Sequence, residues 1–400
     1  MSYPQPPAAR PTVPAVPLVL GVDLTAAGAR PGAHRARGVV AARSFDGERF
    51  VQLVRTADAG GIDLVTLDEG FLLHPGRRQV TGRLDAAVAA ARVAPRTRRT
   101  GLVAAVDTAH VDPAHVARAI AQVDQASAGR AGWHVGLPAG AVVQDDAWAA
   151  QAAAAAARVV RHWDGRARGD GAVAVDAEGR YRVDHDGVRF AVRSRASDDR
   201  PRQGRPPVVV SVRTEAALAL AARTADVVRI AATAPARAIH LRSRLRDAAG
   251  AAGRDPDSLR VLTEAYVVLA EDRASAQARL ELVEALEGPE ISGGLLVVAG
   301  TPDDLAETIT DWRAAGASDG FLLRPSSLGP DLDAVVERVV PRLARDGLLA
   351  PAAPGPRTLR ETLGLPGVDR AVLDAVPDAP AHARPGARSA RPAGARLVRA

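Results

Sequence analysis

Four places in the chain put reactive or ligand-binding side chains where a fold would display them. Arg213-Thr214-Glu215 follows a β-branched run, 207–212, and opens a helical stretch, 214–224. Free backbone N–H groups and the dipole at a helix start favour phosphate, and arginine adds a planar fork of donors. Thr214 with Glu215 behind it is equally an ordinary N-cap; the two readings are compatible. His134, in the run 133–137, can donate a hydrogen bond or shuttle a proton near neutral pH, although a single histidine at a strand end is more often structural. Asp68 closes the run 62–67 and reads as a displayed carboxylate or as a cap. Glu264, inside the run 260–269, would carry a carboxylate into a core and needs a partner there, a role open to one of the arginines. His115 lies within a helical stretch, 113–127, and reads as packing; His110, just before it, and the arginine-rich segment 92–99 carry weaker signals. No His/Asp/Glu set has metal-ligand spacing, and the absence of cysteine excludes disulfides and thiolate sites.

These residues depend on a regular alternation of elements. Strand-like runs at 17–22, 62–67, 100–106, 133–137, 207–212, 226–231, 260–269 and 320–323 alternate with helical stretches at 47–59, 80–92, 113–127, 147–163, 214–224, 236–252, 274–286 and 302–315, and a further one follows at 332–345. Asp112-Pro113 and Thr301-Pro302 are helix-start signals. Eight strands, each followed by a helix, predict an α/β fold, a (β/α)8 TIM barrel. No glycine-rich dinucleotide fingerprint follows an early strand. The polar segment 164–206 reads as an insertion between the fourth and fifth strands, over the carboxyl-terminal mouth where barrels place their sites. The expected organisation is a flexible Pro-rich leader over 1–16, a barrel over 17–349, a C-terminal extension over 350–366 and a disordered Arg/Pro/Ala-rich tail over 367–400.

Composition narrows the classes further. The 400 residues carry a net charge of +6, and all 52 basic residues are arginine. Arg384, Arg388, Arg391, Arg396 and Arg399 supply five of those charges in a stretch without acids, so residues 1–379 are close to neutral. Nucleic-acid binding therefore rests on the tail alone, as loose, salt-sensitive contact. No apolar run reaches the ~20 residues that cross a bilayer, and the N-terminus has no secretory signal, so a cytoplasmic location is expected.

Longer stretches carry a family resemblance. The segment RLDAAVAAARVAPRTRRTGLVAAVDTAHVDPAHVARAIAQVDQASAGRAGW (83–133) resembles the bacterial luciferase-like flavin monooxygenases, in the branch acting on nitrilotriacetate, dibenzothiophene sulfone and long alkanes. FVQLVRTADAGGIDLVTLD (50–68), VVRHWD (159–164), DHDGVRFAVR (184–193), RQGRPPVVV (202–210), LALAARTADVV (218–228), GTPDDLAETITDWRAAGASDGFLLRP (300–325), DAVVERVVPRLARDGLL (333–349) and TLRETLGLP (358–366) follow in family order. The resemblance implies a barrel holding reduced FMN non-covalently, supplied by a separate flavin reductase, and a peroxyflavin that oxidises a small-molecule substrate. It also implies a homodimer or homo-oligomer, with no membrane association.

By the same resemblance, Asp68 stands where the family has an Asp near the flavin ring, and Thr214 where it has a phosphate-binding Ser, with Arg213 beside it. Other positions depart from the pattern. Ala105 replaces a Thr that bonds the flavin, and His134 replaces an Asn, where it is the candidate catalytic residue. Gly136-Leu137-Pro138 replaces Val-Thr-Ser. Asp145 and Ala149 replace a His and a Tyr one turn apart, with Trp148 adjacent. Val212 and Ala217 replace two glycines. These departures keep a second reading open, a non-catalytic luciferase-like barrel that serves as a partner subunit. A deazaflavin enzyme is a third, opposed by the DGFLLRP and TLRETLGLP stretches.

Overall fold

In the computed structural model the residues described are 17–25, 47–67, 85–108, 111–136, 145–164, 180–185, 188–193, 200–287, 294–351 and 355–368. The leader 1–16, Asp68, His110, Leu137-Pro138, most of the insertion and the tail beyond 368 lie outside them.

The strands are β1 (Val19–Asp23), β2 (Leu64–Leu67), β3 (Gly101–Asp107), β4 (Ala131–Gly136), β5 (Arg180–His185), β6 (Val188–Arg193), β7 (Val208–Val212), β8 (Val227–Ile230), β9 (Arg260–Leu269), β10 (Leu296–Gly300) and β11 (Gly320–Pro325). Eight of them close a parallel barrel in the order β1-β2-β3-β4-β7-β8-β9-β11, with β11 returning to β1. All eight are the strands read from the sequence. They are buried on both faces, so they read as short, largely apolar runs. Around them lie α1 (Gly47–Ala59), α2 (Ala86–Val93), α3 (Pro113–Ala126), α4 (Asp146–Trp163), α5 (Glu215–Thr224), α6 (Pro235–Ala251), α7 (Arg273–Glu287), α8 (Pro302–Ala314), α9 (Pro330–Ala334), α10 (Val340–Arg345) and α11 (Leu359–Thr362). Short polar residues start several of these helices. Asp112 caps α3 ahead of Pro113, and Thr301 and Asp304 form a reciprocal capping box on α8. A π-turn over Val335–Val339 joins α9 to α10, just before Pro341, which has no N–H to continue the ladder.

Two elements correct the sequence reading. β10 is a ninth parallel strand outside the closed ring, paired with Ala265–Leu269 in the upper half of β9. The insertion contains an antiparallel β5–β6 hairpin, with Arg180 opposite Arg193 and His185 opposite Val188. Its sequence signal was the Asp186-Gly187 pair between two alternating runs.

The inside of the barrel changes character along its axis. At the amino-terminal end Val19, Leu64, Val103, Val209, Val227, Leu262 and Leu322 form one apolar cluster with Leu359, Leu363 and Leu365. The short helix α11 is therefore a stopper inserted into the bottom of the barrel. Thr358 and Glu361 cap it reciprocally, and the Leu359 N–H donates to the Gly129 carbonyl at 2.9 Å. Arg260 donates to the Leu363 and Gly364 carbonyls at 2.8 and 2.6 Å. Glycine makes room for it: a Cβ on Gly101 would sit 2.4 Å from Leu359 Cδ1. Within the stretch 350–366, Leu359, Leu363 and Leu365 are thus part of the core.

Also at this end, Asp63 accepts the Leu20 N–H at 2.8 Å. Burial pushes its carboxyl up from 3.8 to about 7, against the opposing pull of that N–H and of Arg99. The folded protein holds this proton to higher pH than the unfolded chain does, so its contribution to stability falls as pH rises from about 4 to about 7. Urea unfolding of Asp63→Asn across that interval is expected to lose this part of the pH dependence; an unchanged slope counts against the assignment.

Candidate active site

Strand alternation fixes which side chains enter the barrel. One step above the apolar cluster, the inward positions turn polar. Every second strand places one of these there: Thr66 on β2, His134 on β4, Arg229 on β8 and Arg324 on β11. They stand two residues beyond Leu64, Gly132, Val227 and Leu322. The intervening strands add Asp23, Ala105, Ser211 and Glu264, and Arg213 follows β7.

Glu264 organises the layer. Its side chain is fully buried and receives Arg213 Nη2 at 2.9 Å, Arg229 Nε at 3.1 Å and Arg324 Nη1 at 3.3 Å. Arg324 Nε also lies 3.2 Å from Asp23 Oδ2, and Asp23 Oδ1 accepts the Thr25 N–H at 3.0 Å. Burial pulls the Arg213 guanidinium below the usual arginine range, Glu264 pulls it back up, and Arg229 and Arg324 lower it again. Among the described residues of this contact set, three guanidiniums face two carboxylates.

His134 belongs to the same web. Its Nδ1 lies 3.4 Å from Arg229 Nη1 and its Nε2 3.0 Å from Ser211 Oγ. A guanidinium can only donate, which assigns Nδ1 as the acceptor and places the proton on Nε2, directed at Ser211. Arg229, held by Glu264, thereby sets both the tautomer and the ring orientation.

The other expected site residues fall in different places. Ala105 is buried beside His134 in the β3–β4 register and offers only a methyl group. Thr214 caps α5, its hydroxyl accepting the Ala217 N–H at 3.3 Å. Asp145 caps α4, accepting the Trp148 N–H at 2.7 Å, and Ala149 packs in the outer core. Neither joins the Glu264 web. Trp148 is buried in the same outer core, and its Nε1 has no hydrogen-bond partner. His115 is on α3, outside the barrel. Sequence reasoning missed Asp23, Thr66, Ser211, Arg229 and Arg324. The usable signal was a polar residue two places after an inward apolar one, in a strand otherwise buried on both faces.

A parallel barrel with charged and hydrogen-bonding side chains gathered at the carboxyl ends of its strands is the architecture of a TIM-barrel enzyme. Residues 24–319 match the family model for luciferase-like monooxygenase, and the chain belongs to that family. It is 27% identical to nitrilotriacetate monooxygenase component A of Aminobacter aminovorans, over 86% of this chain and 96% of that one. It is 24% identical to the N-acetyl-S-(2-succino)cysteine monooxygenase of Bacillus subtilis (strain 168), again over 86% and 96%. Among solved structures, a riboflavin lyase with modified FMN and riboflavin superimposes with a TM-score of 0.71 at 20% identity, covering 88% of this chain and 96% of that one; this likeness is one of fold. Among the described residues no helix is long and apolar enough to cross a membrane.

Proposed function

We propose that the protein is the oxygenase of a two-component flavin monooxygenase, taking up FMN reduced by a separate reductase and oxidising a small organic substrate with dioxygen. The observation that carries this reading is the arginine-rich, hydrogen-bonding layer at the carboxyl end of an otherwise apolar barrel, in a chain of a monooxygenase family. The residues fit an anionic flavin in two respects. Three guanidiniums converge on Glu264, and Thr66 Oγ1 is a buried polar atom without a partner. The relative named component A and the fold neighbour with modified FMN support the same reading.

Reduced FMN, when bound, supplies the two electrons that let one atom of dioxygen enter the substrate while the other leaves as water. The chain's own residues position, shield and move protons. Arg213, with the start of α5 and Thr214, would hold the phosphate. By the family pattern Asp68 would meet the ring, and Ala105 would offer it only a methyl group. His134, its tautomer fixed by Arg229, offers its Nε2 proton through Ser211 to the reacting centre. The apolar floor beneath keeps water from entering from below.

Quenching of FMN fluorescence tests the reading. Binding in the micromolar range is expected for FMN, oxidised or reduced under anaerobic conditions, together with oxygen consumption when a flavin reductase and NADH are added. No quenching up to high micromolar protein would sink it. A non-catalytic partner barrel is the second reading, favoured by the use of Asp145 as a helix cap and of Ala149 as core packing. Substrate oxygenation by this chain with only a reductase present would eliminate it.

A further inference from the structure

The polar layer contains one side chain whose chemistry the rest of the layer leaves unused. His134, Arg229 and Arg324 are all tied to Glu264, directly or through one another. The fourth member, Thr66, is 1% exposed, and its Oγ1 has no hydrogen-bond partner. Its inward direction follows from β2 itself, because Leu64 two residues earlier belongs to the inner apolar cluster and Val65 to the outer core. The strands on either side offer it nothing. On β1 the neighbour in register is Asp23, whose Oδ1 is taken by the N–H and hydroxyl of Thr25 and whose Oδ2 faces Arg324. On β3 the inward residues are Val103, in register with Thr66, and Ala105 above it.

Buried hydroxyls without partners are uncommon in folded proteins, because the group gives up its water and gains nothing in return. Among the described residues Thr100 and Trp148 share the condition, but they lie elsewhere. Thr100 precedes β3 at the stopper end, and Trp148 is in the outer core. Among the described residues, Thr66 alone combines an unpartnered polar atom with a place in the polar layer at the mouth.

We propose that Thr66 is a ligand-contacting residue whose hydroxyl bonds the polar edge of the flavin ring, supplying from β2 the contact that the methyl of Ala105 cannot make from β3. A hydroxyl both donates and accepts, which suits a ring edge of alternating carbonyl and N–H groups. This inference rests on the flavin reading above. It also carries an unusual signature, because the same hydroxyl disfavours the empty protein and favours the bound one.

Thr66→Val removes the hydroxyl and keeps the shape, and Thr66→Ser keeps the hydroxyl. Two quantities are to be measured on the full chain, the Kd for FMN by fluorescence quenching and the urea midpoint without FMN. Thr66→Val is expected to weaken FMN binding roughly 5- to 10-fold with an unchanged or raised midpoint, while Thr66→Ser binds within about 2-fold of the parent. A parent-like Kd for Thr66→Val overturns the proposal, as does a Thr66→Ser variant that binds as weakly as Thr66→Val. A lowered midpoint with an unchanged Kd would make the hydroxyl structural and overturn it as well. Absence of FMN binding by the parent chain overturns the flavin reading, and this contact with it.

Discussion

Replacing Glu264 by glutamine is expected to lower stability by about 3–5 kcal/mol, the usual cost of removing one member of a buried ion pair. The side chain is fully buried, and three guanidiniums converge on it within 3.3 Å. Without its charge these cations repel one another across a space with little water to screen them. Arg229 bears the most, since only 3% of its side chain is exposed; Arg213 and Arg324, at 31% and 22%, can lean toward solvent. Urea denaturation of Glu264→Gln measures the loss. The double variant Glu264→Gln/Arg229→Met should recover part of it, because it removes the most deeply buried of the unbalanced cations. A Glu264→Gln midpoint equal to that of the parent would show that the arginines do not depend on this carboxylate.

The second large effect lies at the opposite end of the barrel. Leu359→Ala is expected to cost about 2–5 kcal/mol, the range for emptying a well-packed leucine site. The estimate belongs at the upper end, because Leu359 fills space that Gly101 and Gly132, which have no side chains, leave open. Ending the chain at residue 355 should have a greater effect. It removes Leu359, Leu363 and Leu365 together and exposes the inner cluster from Val19 to Leu322 to water. Circular dichroism and urea melts would register this as loss of cooperative unfolding, with a chain ending at 368 as the control. Cooperative unfolding of the shorter chain at the parent midpoint would mean that the stopper is dispensable.

The two ends of the barrel were unequally legible. The eight strands could be read because burial on both faces demands short, largely apolar runs, and the helices because their caps and periodicity are local. β10 was missed because Leu296–Gly300 is short, partly exposed and set directly against the cap of α8, so it reads as a loop. Glu264 was visible as a charge inside an apolar strand, with an arginine expected nearby. Its partners were not, because they stand 51, 35 and 60 residues away and meet it only when the sheet closes. The place of the stretch 358–366 inside the barrel was not visible, since the leucines it meets come from strands throughout the chain. Asp145 and Ala149 were assigned by counting positions along a helix, and counting does not reveal that an aspartate there is needed to start that helix.

The position of α11 also bears on how the protein is made. Chains emerge from the ribosome amino end first, and domains complete themselves as their parts appear. Here the strands of the barrel are all synthesised before the leucines that seal its floor. A nascent chain that has finished β11 still presents an open, oily well, and it stays so until residues 359–365 have been delivered. Premature termination anywhere upstream of that stretch would leave a nearly complete barrel with an adhesive base, a product suited to capture by chaperones or to aggregation.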